Sequence, residues 1–413
     1  MNNLRQTFSL PSGLSPLLHS NFIYLFWDII WWGFYIGSTT AFLAIYAARC
    51  GATPGQIGLL AAIPALTSLL LSLPAGRWLR RFPAGRATVW SAFGSRILFL
   101  FYVFLPWMLP PELQVQGLIV LAVVITLPTT IINISFSQFF VEAVPIEYRG
   151  MIVGTRIALM SLVSFPVTLL CGVILTRMPF PSGYQVVFLI GFLGAILTVP
   201  VLRKVHPVAP TEPVTQPSTS ISATRVRLIP QIDDSSRTYV KIILLLFFFN
   251  MTNNMVAPLV PDLLVNTLQF PDALISLGTA ISTMLVFLVS LLMARMSHRI
   301  GGRTGTGMGA VLLAVQAVLL ALVTGASGYI LAVIVGGLAS GILSSAQYTY
   351  HLDALPPTER PSWLSWSLLL GSIAVLLGSL AGPALARLGS IQEALIVLAF
   401  FRVVIGVLIW VKG

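Results

Sequence analysis

Charge is what this 413-residue chain has least of: Asp, Glu, Lys and Arg together make up 8% of it, against roughly 25% in an ordinary soluble domain. Too few charged side chains exist to cover a water-soluble fold. The mean hydropathy of +0.93 also excludes intrinsic disorder, which needs the opposite balance. Two cysteines, Cys50 and Cys171, exclude a disulfide framework or a multi-cysteine metal site. The four histidines, His19, His206, His298 and His351, are scattered without HExxH spacing. Neither a metal centre nor the convergent acid/base set of an integral membrane enzyme is expected. There is no glycine-rich phosphate loop, so no nucleotide cofactor is expected. The first hydrophobic run, at about 22–46, is too long for a secretory signal and reads as a retained membrane span.

Apolar side chains, by contrast, make up 57% of the chain. Windows of about 20 apolar residues, the length that crosses a ~30 Å hydrocarbon core as a helix, recur at 21–47, 55–74, 88–109, 115–140, 150–176, 184–202, 241–265, 272–294, 306–325, 328–351, 362–386 and 391–411. The expected fold class is an all-α integral membrane bundle of twelve helices. Between the sixth and seventh spans, Pro207, Pro210, Pro213, Pro217 and the run Ser218–Thr219–Ser220 form a composition that cannot bury apolar surface and reads as a flexible linker. The expected organisation is a tail at 1–20, a six-helix bundle at 21–202, a linker at 203–240 and a second six-helix bundle at 241–413.

The net charge of +11 could mean nucleic acid in a soluble protein, but here it divides by loop. One side collects Arg5, Arg77, Arg80, Arg81, Arg86, Arg149, Arg203, Lys204, Arg225, Arg227, Arg237, Lys241, Arg295, Arg299, Arg303, Arg360 and Lys412, which is 17 of the 23 basic residues. The other side has Arg49, Arg177 and Arg387, while Arg96, Arg156 and Arg402 fall inside spans. Basic loops stay in the cytoplasm. Both termini and the linker are therefore expected on the cytoplasmic side of the cell membrane, and the excess charge gives no support to nucleic-acid binding.

The two halves repeat each other. Ala75-Gly76-Arg77-Trp78-Leu79-Arg80-Arg81-Phe82-Pro83-Ala84-Gly85-Arg86 after the second span resembles Met293-Ala294-Arg295-Met296-Ser297-His298-Arg299-Ile300-Gly301-Gly302-Arg303 after the eighth. Glu142-Ala143-Val144-Pro145 with Arg149 matches Asp353-Ala354-Leu355-Pro356 with Arg360 at a constant offset of 211. Internal repeats of this kind mark many transporters. The pattern resembles the major facilitator superfamily of secondary transporters over the whole chain. Arg81, Gly85 and Arg86, like Arg299, Gly301 and Arg303, fit that family's loop signature. Arg80 and His298 stand where the family usually has Asp, which puts the usual form of its cytoplasmic charge cluster in doubt. The resemblance implies two pseudo-symmetric six-helix halves that rock about a midplane site lined by spans 1, 4, 7 and 10.

Ionisable groups inside a bilayer are costly and are functional candidates. Asp28 is the only acid well inside a span; Arg96 and Arg156 lie at similar depth. They read either as a buried ion pair locking the first half, or as a proton-coupling device in which burial opposes the charge on Asp28 and an arginine supports it. Asp28, Trp31, Trp32, Tyr35 and Thr39 recur at helical spacing on one face. Asn250 and Asn254 share a face of span seven ahead of Pro258 and Pro261, which interrupt it. Asn133 in span four and Gln347 in span ten complete the polar candidates, with interhelical hydrogen bonding as the competing role. His351 is expected near the cytoplasmic end, Arg402 on backbone carbonyls, and Gly371, Gly378 and Gly382 in packing between the halves. No Arg occurs in span four and no Gly-Pro-x-x-Gly-Gly signature in span five, and both absences weaken the resemblance to the family's drug exporters.

The expected function is a secondary transporter of a small organic solute, acting as a monomer in membrane lipid, with protons coupled through Asp28 as one option; the alternatives are a receptor or scaffold of the same fold and a membrane enzyme. The aromatic and amide side chains favour a neutral or cationic solute over a phosphate or dicarboxylate, although Arg96 and Arg156 could serve an anion. The charge division makes a direct prediction. A single cysteine at Leu388, beside Arg387, in a chain carrying Cys50→Ala and Cys171→Ala, should react with an impermeant maleimide added outside intact cells. Labelling only after the membrane is permeabilised would invert the orientation.

Overall fold

A computed structural model describes residues 14–79, 81–208, 234–354 and 360–412. Among them no strand occurs, and twelve helices are long and apolar enough to cross a membrane. Hydrocarbon offers no hydrogen bonds, so a spanning segment must satisfy its own backbone, which a helix does.

The helices are α1 (Pro16–Arg49), α2 (Pro54–Leu79), α3 (Ala84–Met108), α4 (Pro111–Ala143), α5 (Ile146–Arg177), α6 (Ser182–Leu202), α7 (Asp234–Val256, continued by Leu259–Asp262), α8 (Asp272–Ile300), α9 (Gly302–Ala321), α10 (Ala326–Asp353), α11 (Arg360–Ala386) and α12 (Ile391–Lys412). Two boundaries differ from expectation. α1 begins at Pro16, inside the segment expected as tail, because the Ser15 hydroxyl accepts from the Leu18 amide at 3.3 Å and Pro16 suits the first helical position. α7 begins at Asp234, inside the expected linker. Residues 1–13, most of that linker (209–233), Arg80, 355–359 and Gly413 lie outside the described residues.

The chain forms two compact units, Met1–Cys50 with Thr67–Pro210, and Gly51–Leu66 with Thr211–Gly413. The grouping of 51–66 with the later residues departs from a division at the linker. Its cause is backbone proximity: a side chain on Gly58 would collide with the carbonyl of Ser379 on α11.

In the first unit, α1 packs on α5 and α6, and α3 on α4 and α6, around Phe22, Leu25, Ala92, Phe139, Ile152 and Val199. Asn21, fully buried, ties the start of α1 to the end of α4 and the residues just past α6 at one pole of this unit. Its Nδ2 donates to the carbonyls of Ala143 (3.3 Å) and His206 (2.7 Å), and its Oδ1 accepts from the His206 amide (3.0 Å). In the second unit, α9 packs on α10 and α12, and α7 on α11 and α12, around Phe249, Leu313, Ala339, Leu343 and Ile409.

Gly378 and Gly382 correct an expectation. They pack within the second unit, where a Cβ on either would strike the backbone of α7 at Met251 or Met255; Gly371 meets nothing within 4 Å. Small residues let helix backbones approach where the bilayer supplies no hydrophobic drive between helices. Gly382→Leu should therefore separate α7 from α11 and cost about 1–3 kcal/mol or more, read as a lowered Tm of the purified chain in detergent. Gly371→Leu should be tolerated, and equal loss from the two would refute this packing.

Candidate functional site

The first unit concentrates its buried charge around α1. Asp28 and Arg96 are each 5% exposed. Arg156 Nη2 donates to Asp28 Oδ2 at 2.9 Å and Nη1 to the carbonyl of Leu25 at 2.7 Å. The same guanidinium lies 5.0 Å from the centre of the Phe136 ring. Charge, hydrogen bonds and ring face together answer the cost of burying this cation.

Arg96 is held differently. Its Nη1 donates to Ser95 Oγ at 2.8 Å, its guanidinium sits 4.4 Å over the Trp32 ring, and its Nε has no partner. It lies within electrostatic reach of Asp28 and Tyr35, although the hydrogen bond to the carboxylate comes from Arg156. With two arginines around one acid, the cluster carries an excess positive charge. Tyr35 stacks between Trp32 (4.6 Å) and Phe99 (4.4 Å), which gives the arginine an aromatic wall.

The structure divides the residues expected on one face of α1. Trp32 and Tyr35 join Arg96, whereas Trp31 turns to Trp27 and Phe34, and Thr39 is buried where a Cβ on Gly191 of α6 would strike it. A π-helical turn at Ile36–Thr40 causes part of this offset, since an inserted residue rotates everything beyond it. Thr168 on α5 donates to the Gly37 carbonyl in that widened turn at 2.9 Å. Asn133 is exposed on α4, one turn before Phe136.

The second unit holds an open cavity of about 480 Å³, within the range of small-molecule sites. Its polar lining is Asn250 and Asn253 of α7, Ser340, Ser344, Gln347, Tyr348 and His351 of α10, and Ser367 of α11; Phe247, Phe249, Ile243, Gly371 and leucines supply the rest. Gln347 Nε2 donates to Asn250 Oδ1 at 3.4 Å. Asn254 does not line it: its Nδ2 donates to the Asn250 carbonyl at 2.8 Å, and its Cβ faces Gly378. His351, in the last turn of α10 as expected, also stands in the cavity wall, with Nε2 3.2 Å from Ser367 Oγ and 3.5 Å from the Tyr239 hydroxyl.

Arg402, 2% exposed, lies behind this wall. It donates to the carbonyls of Leu313 (3.0 Å), Thr252 (3.4 Å) and Asn253 (3.4 Å), and to Asn253 Oδ1 (3.1 Å). The carbonyls it collects on α7 lie just before the break at Pro258. With Oδ1 bonded, Asn253 has its amide N–H groups left for the cavity. Ser367 escaped the sequence reading, although its spacing of four from Gly371 places both on one helical face.

Of the loop-motif residues, Gly76 and Arg77 on α2 and Arg295 and Arg299 on α8 have side chains outside the described residues. Arg81 is exposed, and a Cβ on Gly85 would meet Phe139. Gly301 takes φ +73° between α8 and α9, a conformation that favours glycine. Arg303 Nε donates to the Ile409 carbonyl at 3.2 Å, pinning α9 to α12. Arg86 borders two grooves described below. Among the described residues no group of three or more metal-ligating side chains occurs.

The sequence model of the Major Facilitator Superfamily matches residues 13–235 and 242–412. No curated protein matches with significance. Among solved structures, the xylose transporter XylE from E. coli in a partially occluded inward-open conformation aligns at TM-score 0.67 with 14% identity, covering 97% of this chain and 99% of that one. A bacterial homologue of the human lysosomal transporter Spinster aligns at 0.67 with 13% identity (96% and 97%). The nucleoside transporter NupG aligns at 0.62 with 15% identity (96% and 98%).

The ion pair predicts an asymmetry. Arg156→Met leaves a buried carboxylate without its partner and should cost about 3–5 kcal/mol. Adding Asp28→Leu should recover most of that loss, because two apolar side chains of similar size need no partner. Thermal unfolding in detergent measures both, and a double variant no more stable than Arg156→Met would refute the pairing as the source of the cost.

Proposed function

The chain belongs to the Major Facilitator Superfamily, and on that premise we propose that it is a secondary transporter that moves a small organic solute across the cell membrane by alternating access. Its family and fold are a transporter's rather than an enzyme's. The orientation that accompanies this reading has both termini in the cytoplasm, supported by the division of basic residues among the loops.

The observation that carries the substrate class is the cavity of the second unit. Amide and hydroxyl groups from three helices line it beside phenylalanine and leucine, without an acid or an arginine among the lining residues. A neutral, moderately apolar solute suits that lining: its own donors and acceptors would replace water at Asn250, Asn253 and Gln347, and its apolar part would meet Phe247 and Phe249. A phosphate or dicarboxylate would enter without a cation to meet it. Amide lining gives specificity because an analogue that lacks the matching group leaves a buried amide unpaired.

Asp28 supplies the coupling in this proposal. A carboxylate paired with one arginine and within reach of a second can exchange its pairing for a proton as access changes, because protonation removes the charge that Arg156 answers. Arg156 retains the Leu25 carbonyl and the Phe136 ring as partners in either state.

Uptake of a solute panel into proteoliposomes, with and without an imposed pH gradient, tests both parts. Asp28→Asn should abolish accumulation driven by the gradient while exchange of solute across the membrane persists. Gln347→Ala should raise KM several-fold with a smaller change in kcat. Undiminished gradient-driven uptake by Asp28→Asn would remove Asp28 as the proton site. An absence of flux for every solute in a broad panel would overturn transport itself.

A further inference from the structure

Two grooves on the first unit share a wall, and none of their lining residues belongs to the charge cluster or to the cavity of the second unit. One, about 470 Å³, runs between α3 and α4 and is almost wholly apolar; its lining includes Trp90, Gly94, Pro128 and Ile131. The other, about 350 Å³, lies at the basic pole of the unit, where Arg86 of α3 and Arg203 at the end of α6 face one space with Val89 and Phe139. Arg86 and Trp90 border both. From Arg86 to Gly94 the helix rises about 12 Å, so a polar opening leads directly into an apolar trough along the helix.

The apolar groove exists because Gly94 has no side chain: a Cβ there would find only Pro128, at 3.9 Å. Trp90 is 67% exposed on this membrane-spanning helix, and an amphipathic indole at a helix end suits the boundary between headgroup and hydrocarbon. Neither Arg86 nor Arg203 has an acidic partner among the described residues. Lys204 turns instead to the Tyr24 ring at 5.7 Å, and Glu142, at the nearby end of α4, accepts from Gln138 Nε2 at 3.0 Å. Among the described residues no carboxylate answers the charge of the two guanidiniums at this opening.

We propose that this pair of grooves is a binding site for one anionic phospholipid. Arg86 and Arg203 hold the phosphate-bearing headgroup, Trp90 lies at its glycerol level, and an acyl chain occupies the trough between α3 and α4. Planar guanidiniums suit phosphate oxygens, and basic pockets between membrane helices recognise anionic headgroups. A zwitterionic lipid could fill the trough but would bring its own cation to the two arginines. The site ties the end of α6, and with it the start of the segment joining the two units, to the composition of the surrounding leaflet.

Trp90 itself reports occupancy. The full chain would be reconstituted in phosphatidylcholine bilayers containing a minor fraction of phosphatidylglycerol, with bromine on the acyl chains of either the anionic lipid or an equal fraction of the zwitterionic one. Comparison with Trp90→Phe isolates the quenching that belongs to Trp90. That share should be several-fold larger with brominated phosphatidylglycerol, on the order of fivefold per arginine, and should shrink at high salt. Arg86→Gln with Arg203→Gln should erase the preference, Arg86→Lys with Arg203→Lys should keep most of it, and Gly94→Leu should lower the quenching by filling the trough. Equal quenching by the two brominated lipids in the unaltered chain would overturn the proposal. So would a preference that survives the double glutamine variant, provided both chains elute as a single folded species.

Discussion

Whatever partner a polar group inside this protein finds must come from within the protein, because the surrounding hydrocarbon offers none. That constraint makes every spanning segment a helix and places each interruption where another helix can answer it. The widened turn of α1 gives its Gly37 carbonyl to Thr168, and the carbonyls before the break in α7 go to Arg402. The buried arginines are the severest cases, since a guanidinium has five donors and no means of shedding its charge.

The two units meet that demand with different chemistry. In the first, Arg156 is matched to Asp28, and Arg96 lies against an aromatic wall with part of its hydrogen-bonding capacity unused. In the second, Arg402 is matched to neutral carbonyls and one amide. The buried ion pair thus lies in one unit and the neutral, hydrogen-bonding cavity in the other. Each unit also has a π-helical turn, within α1 at Ile36–Thr40 and directly after α7 at Leu263–Thr267.

Lipid-facing surface follows another logic. Exposed leucine, valine and phenylalanine along the helices are ordinary where the solvent is acyl chain, so a groove there has meaning only where polarity changes along it. Arg86, Trp90 and Gly94 mark such a change within three turns of α3. Asn21 fixes the pole on which it opens by holding His206 and Ala143 to α1.

Much of the architecture was legible in the sequence because bilayer thickness imposes a length on apolar runs. The twelve spans, the helical class and the repeat behind the family assignment follow from one-dimensional patterns of that kind. The isolated Asp28, Arg96, Arg156 and Arg402 were also visible, because a charge in an apolar run contradicts its surroundings. Their partners were not. That Arg156 rather than Arg96 takes Asp28, that Trp31 leaves the face shared by Trp32 and Tyr35, that Asn250 lines a cavity while Asn254 packs on Gly378, and that Gly382 serves its own unit all depend on rotations of one helix against another. Sequence spacing fixes which residues share a helix face, but a π turn or a proline resets that face, and only the packed neighbours decide what it meets.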